Sequence, residues 1–302
     1  MFDISPSRIR GRLRGRPGHP LQTARATKPP PIQKLRSYAL VGAVVFLAQC
    51  TPPRCAPQLT GAPAAAPPTT PVPPRPGTVG VPSNIALAPM ASSQVAPGGV
   101  YENVVITGQL EIGTGQPATT FKNCLIEGSM VTYSTIIMES CTVHGGLYSY
   151  DTGGSITRTL IDTANSQGFR PGTTKVADNF TLSTPWVVTD SYIRVTKGAP
   201  GAHVEAAQVL GGVGITFRNV VFETGGPFNN TQTADLNFIG KDMLCEDCSF
   251  VGYGGYAIYS EGQNNVFLRP KFARNYQWGI LFPTARFKAT IIDPKHLDGT
   301  PA

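Results

Sequence analysis

A short element recurs along the chain and restricts its fold more than any other feature. It consists of an apolar residue, two further residues, a small or β-branched residue, and a second apolar residue two positions on. In order it reads YENVVITG, FKNCLIEG, MESCTVHG, ITRTLIDT, VTDSYIRV, FRNVVFET, CEDCSFVG, LRPKFARN and IDPKHLDG. The fourth positions are Val104, Cys124, Cys141, Thr159, Ser191, Val220, Cys248, Lys271 and Lys295, spaced 20, 17, 18, 32, 29, 28, 23 and 24 residues apart. The leading positions, from Tyr101, Phe121 and Met138 to Leu268 and Ile292, are nearly all apolar, and the last two copies fit less well. A lone strand repeated at such intervals predicts a solenoid, in which each coil buries its apolar face only against its neighbours. A sandwich would show hairpin turns and strict alternation instead. The expected class is therefore all-β, a parallel β-helix. The residue before the fourth position is Asn103, Asn123, Asp190, Asn219 or Asp247 in five of the nine copies. Asn and Asp tolerate the left-handed backbone of a sharp corner, and their side chains can bond the next coil.

Charge and composition divide the chain into three parts. Nine of its 25 Lys and Arg but only one of its 18 acidic residues lie within 1–36, leaving 16 basic against 17 acidic residues downstream. The folded part is close to neutral, so the basic footprint of a nucleic-acid binder is missing and no nucleic-acid partner is expected. Residues 1–50 read as a basic leader. Its apolar run, Ala39–Ala48, is too short for a bilayer core that needs about 20 residues and fits the apolar core of a secretory signal. The sequence LAQC resembles a bacterial lipoprotein cleavage box with Cys50 as the lipidated residue, although Gln49 stands where a small residue belongs. Export to the cell envelope or beyond follows, with membrane attachment only through this leader or a lipid on Cys50. The competing reading is a fortuitous apolar run in a basic tail. Residues 51–98, rich in Pro, Ala and Thr, read as a disordered tether. Residues 99–302 are then the folded domain.

The repeat resembles the right-handed parallel β-helix superfamily of pectate lyases, polygalacturonases and phage tailspikes. Within it, GAHVEAAQVLGGVGITFRNVVFE (residues 201–223) is similar to the H-x-D/E-x-x-Q segment of bacterial exported β-helix proteins. The resemblance implies a right-handed solenoid and a saccharide groove along one outer face, and it covers roughly residues 99–300. The specific motifs of polygalacturonases and pectate lyases are absent.

Strand alternation puts His203, Glu205 and Ala207 on one face and Val204 and Ala206 on the other, so the apolar pair should turn His203 and Glu205 outward. Gln208 has the wrong parity for that face unless a bulge intervenes. Aligning the copies sets His203–Glu205 beside Thr231–Thr233 and Gly254–Tyr256, with Asp235 beside Ala207 and with Lys241 and Glu261 close by. The 32-residue spacing points to an inserted loop, SQGFRPGTTKVADNFTLSTPW (residues 166–186), offering Phe169, Arg170 and Trp186 to a sugar or uronate. A glycoside hydrolase needs two carboxylates, for which Glu205 and Asp235 are the best pair. A lyase needs a base, for which His203 serves, and Ca²⁺ or an arginine, Arg170 or Arg194, to hold the developing charge. The expected catalytic set is His203, Glu205 and Asp235. The expected substrate-binding set is Arg170, Trp186, Arg194, Gln208, Lys241, Tyr256 and Glu261. The partner is polysaccharide, and the alternative is a non-catalytic carbohydrate-binding or surface-structural module.

Two readings of the cysteines remain. Cys124 and Cys141 share a repeat position, so stacked coils would bring them about 4.8 Å apart, within disulfide range. Alternatively they join Thr159 and Ser191 in a ladder of small inward residues, which is preferred. Cys245 and Cys248 lack the partners of a zinc site, and core packing is preferred for them.

Overall fold

The left-handed corner is where the sequence dictates the architecture most directly. The structure, a computed structural model, describes residues 71–114, 117–150, 152–164, 167–172, 185–196, 203–226, 232–282 and 289–302. All nine copies turn through one residue with positive φ: Asn103, Asn123, Ser140, Arg158, Asp190, Asn219, Asp247, Arg269 and Asp293, at 49° to 57°. A non-glycine residue in this region costs roughly 1–2 kcal/mol. Side-chain bonds to the adjacent coil offset that cost. Asn123 donates to Asn103 Oδ1 (2.9 Å), Asn219 to Asp190 Oδ1 (2.7 Å), and Arg269 grips both oxygens of Asp247 at 2.8 Å.

These corners also correct the register of the last two copies. The left-handed residues Arg269 and Asp293 make Pro270 and Pro294 the fourth positions, not Lys271 and Lys295. The inward residues are accordingly Phe267 and Ile291, while Ile292 is exposed. Proline fits there, because its fixed φ suits an extended segment just after a turn.

The coils stack into three parallel sheets of nine, ten and eight strands among the described residues, the β-helix that the repeat predicts. Each coil runs from the nine-stranded sheet through the left-handed corner into the ten-stranded sheet, then into the eight-stranded sheet. Inward residues form continuous rows. In the ten-stranded sheet the row is Ile106, Ile126, Val143, Ile161, Ile193, Phe222, Phe250 and Phe272. Its last three rings stack at centroid distances of 5.4 and 5.2 Å.

Beside the corner runs the small-residue ladder, with all four described cysteines buried as free thiols. The Cys124 N–H donates to Cys141 Sγ (3.5 Å), the Cys141 N–H to Thr159 Oγ1 (3.3 Å) and the Thr159 N–H to Ser191 Oγ (3.1 Å). Each side chain in turn donates to the carbonyl two residues back, as Ser191 does to Thr189 at 2.7 Å. Cys248 follows the same pattern toward Glu246 (3.6 Å), and Cys245 sits in the inward row of the nine-stranded sheet. The ladder thus closes local hydrogen bonds inside an apolar interior, where an unmet N–H is costly.

The fold begins earlier than residue 99. Ala88–Ala91 pairs in register with Val104–Thr107. Upstream, the Gly80 N–H donates to the Arg158 carbonyl (2.9 Å), Val81 N–H to Thr142 Oγ1 (3.1 Å), and Asn219 Nδ2 to the Val72 carbonyl (3.2 Å). A proline-rich segment has no apolar period to betray it, yet its carbonyls and remaining N–H groups can still dock on a solenoid edge. The leader with Cys50 and residues 51–70 of the expected tether lie outside the described residues.

Candidate functional site

The site region is the outer face of the eight-stranded sheet, where Val204–Val213, Gln232–Lys241 and Tyr256–Gln263 are its longest strands. His203 is 74% exposed, and its Nδ1 lies 2.9 Å from Thr233 Oγ1 and 3.9 Å from Glu205 Oε1. Glu205, expected on the surface, is fully buried. Asn237 Nδ2 donates to its Oε1 at 3.4 Å.

That bond resolves the parity of Gln208. Asn237 is the register partner of Gln208, yet it reaches Glu205, three residues before Gln208. Glu205 and the Gln208–Asn237 row therefore share a face, and the alternation breaks between them at Ala206 and Ala207, both buried. The pairing register also slips between Val204 and Glu205. The slip places Ala207 opposite Leu236 and Glu205 opposite Ala234, one residue from the expected alignment with Asp235 and Thr233. A bulge of this kind re-aims a side chain at the cost of one unpaired position.

Asp235 is therefore not a partner for Glu205. It is fully buried and accepts four bonds: from Thr224 N–H (3.0 Å), Thr224 Oγ1 (2.6 Å), Gly252 N–H (2.9 Å) and Tyr276 Oη (2.5 Å). Burial pushes its carboxyl up to about 7, against the opposing pull of the four donors. Tyr276 is raised as well, by its own burial and then by the charge of Asp235. With every lone pair committed, Asp235 ties three successive coils together and has none left for substrate.

Trp186 is a second correction. Its ring is fully buried, stands edge-on to Phe169 at 5.2 Å, and donates Nε1–H to the Thr152 carbonyl at 3.0 Å. Gly154, its register partner, makes the room, since a Cβ there would come within 3.0 Å of the indole. The proposed insert is also shorter than 166–186, because Gln167–Gly172 is a strand of the sheet and Trp186 opens another. Phe169 and Trp186 fill the core; residues 173–184 lie outside the described residues.

Arg194 faces outward from a different sheet, the ten-stranded one, and is committed there. Its guanidinium grips both oxygens of Asp162, which raises its pKa. In the next coil Glu223, the register partner of Arg194, accepts the Tyr192 hydroxyl at 2.5 Å.

Arg170, Gln208, Tyr256, Glu261 and Lys241 do lie on the eight-stranded sheet. Register relations run Tyr148–Arg170 in one pair of coils and Gln208–Asn237–Tyr259 in the next three, giving an outer row that is partly exposed except at the buried Asn237. Burial raises the Tyr148 phenol, and Arg170 partly offsets the shift. Glu261 accepts the Tyr259 hydroxyl at 2.6 Å. Tyr256 packs 5.4 Å from the 52%-exposed Trp278 and 5.1 Å from Phe282, which lies 4.4 Å from Tyr259. Tyr133 and Tyr150 stack at 5.5 Å toward the other end. Lys241 sits six residues beyond Asp235, at the far end of its strand. Asn237 and Tyr148, which carry much of this face, are not marked by any motif; strand register alone reveals them.

Among the described residues no three His, Cys, Asp or Glu side chains gather as a ligand set for a metal ion. Comparison with protein-family models, with curated proteins and with solved structures finds no match. The chain is a parallel β-helix by its own architecture, three parallel sheets wound from one repeating coil.

Proposed function

We propose that the protein is an exported, envelope-tethered β-helix that binds polysaccharide along the outer face of its eight-stranded sheet. The observation that carries this reading is the outer row Tyr148–Arg170 and Gln208–Asn237–Tyr259, flanked by Tyr133–Tyr150 at one end and Tyr256–Trp278–Phe282 at the other. Aromatic faces with amides and a guanidinium between them suit sugar rings and their hydroxyls, and coils about 4.8 Å apart repeat those groups along the solenoid axis. The pectate-lyase-like resemblance and the leader point the same way. A hydrolase resting on Glu205 and Asp235 loses support, because Asp235 is buried and fully bonded.

A second reading, a polysaccharide lyase, is favoured by one observation: the exposed His203 imidazole beside the buried Glu205 carboxylate. One experiment separates the two. The full chain is run in native gels containing acidic or neutral polysaccharides, and the same mixtures are assayed for unsaturated products. Binding predicts retarded migration without product, abolished in a Tyr148→Ala/Gln208→Ala/Tyr259→Ala variant. Unsaturated product from the parent but not from His203→Ala would establish the lyase. Unretarded migration on every glycan, with no product, would refute both.

A further inference from the structure

The outer face of the nine-stranded sheet carries two rows of side chains with different chemistry. One row runs in register from Val100 through Ile137 and Val187 to Thr290 and holds only Val, Ile, Leu, Thr and Ser. Val100 is 76% exposed, and Ile137 and Val187 are each 40% exposed. An uncharged, largely β-branched strip of this length is the kind of face that sheets cover by packing on one another. The second row lies two residues further along each strand and is charged. In six successive coils it reads Lys122, Glu139, Thr157, Thr189, Arg218 and Glu246. Read backwards, the same row has every sign inverted about its two threonines. The charges pair within the chain, Lys122 with Glu102, Glu139 with Arg158 and Arg218 with Glu246, yet all of them stay partly exposed.

We propose that this face joins two copies of the chain in a symmetric dimer, nine-stranded sheet on nine-stranded sheet, with the solenoid axes antiparallel. The two-fold axis runs along the strands, midway between the coils of Ser155 and Val187. Each row then meets itself, as an isologous contact requires. Ser155 faces the partner's Val187, Thr157 the partner's Thr189, Glu139 the partner's Arg218 and Lys122 the partner's Glu246. Charge selects this register. Moving the axis by half a coil one way sets Glu139 against the partner's Glu246, and the other way sets Lys122 against the partner's Arg218. A two-fold along the solenoid axis would lay the apolar row on the charged one. With coils about 4.8 Å apart, the overlap is roughly 38 Å by 13 Å, or about 1,000 Å² over both copies. That area sits at the threshold of a specific interface, so the dimer is weak and concentration-dependent. The inference stands apart from the polysaccharide reading, whose face belongs to the eight-stranded sheet.

The test is sedimentation equilibrium of the full chain over a dilution series, where a monomer–dimer equilibrium is expected. Val187→Lys buries a lone charge against the partner's Ser155 and is expected to weaken association at least about tenfold. Val187 is partly exposed in the single chain, so the thermal midpoint should hold. Adding Ser155→Glu supplies the opposite charge at the facing position and is expected to recover most of the lost association. Should either variant fail to fold, Lys122→Glu sets like charges against the partner's Glu246 and is expected to weaken association at least about tenfold. A monomer at every concentration overturns the inference. Association that survives both Val187→Lys and Lys122→Glu belongs to another surface and overturns it too. A double variant that associates no more tightly than Val187→Lys puts the two-fold elsewhere and refutes the geometry.

Discussion

Replacing Asp235 withdraws the acceptor from four donors that belong to three successive coils. Asp235→Ala strands the main-chain N–H groups of Thr224 and Gly252 in a buried place, while the hydroxyls of Thr224 and Tyr276 can turn elsewhere. At about 1–3 kcal/mol for each stranded N–H, the expected loss is about 2–6 kcal/mol. Asp235→Asn keeps the shape but sets its amide nitrogen against one of the two N–H groups whichever way it turns, so about half that loss is expected. The wild type also carries a pH signature. Its folded carboxyl, pushed up from 3.8 to about 7, lies above the unfolded value. Stability from this group is therefore fully present below about pH 4 and is lost as the pH rises through about 7. The difference corresponds to about 4 kcal/mol at roughly 1.4 kcal/mol per pH unit. The assay is urea unfolding of the wild type and both variants between pH 4 and 8. The Asn variant should lack the wild type's decline, which exceeds its own expected deficit of about 1–3 kcal/mol, so the gap between the two should close and then reverse as the pH rises. Parallel pH profiles, or an Asp235→Ala loss below about 1 kcal/mol, would refute the assignment of Asp235 as a buried inter-coil tie.

Substitutions at two further positions test the core. Trp186→Ala should cost about 3–5 kcal/mol in thermal unfolding, as for a buried aromatic; a change within about 0.5 kcal/mol would instead mark a surface sugar platform. Cys141→Ser should shift stability by less than about 1 kcal/mol, because Ser191 performs the same bonding, whereas Cys141→Leu should cost about 1–3 kcal/mol by overpacking. Equal effects of the two changes in chemical denaturation would refute the ladder.

The corner and the inward rows were legible because they obey a period. Asn103, Asn123, Asp190, Asn219 and Asp247 announce the turn, while Ser140, Arg158 and Arg269 adopt the same backbone without a local signal. At the C-terminal copies Leu268 and Ile292 imitate the apolar leading position, and only the turn geometry exposes the one-residue offset. The outer face of the eight-stranded sheet was harder to read. Parity arguments assume an unbroken strand, and the kink at Ala206–Ala207 invalidates them for Glu205 and Gln208. Burial of Asp235 and Trp186 depends on Tyr276, Thr152 and Gly154, residues 32 to 41 positions away from whichever of the two they touch or, in the case of Gly154, face in register. No local pattern reports such partners.

The left-handed corner also governs how such a chain can grow. Between the nine- and ten-stranded sheets only one or two residues separate consecutive strands, while the other two connections range from one residue to thirteen. Length variation is thus confined to two edges, and the third acts as a ruler. A segment cut from just after one corner residue to the next, such as Cys124–Ser140, begins and ends in matching backbone geometry. Duplicating it would extend the solenoid by one step of about 4.8 Å without disturbing the rows on either side. Reach along the axis is therefore quantised in whole coils, whereas the loops that border the outer faces can change without altering the molecule's length.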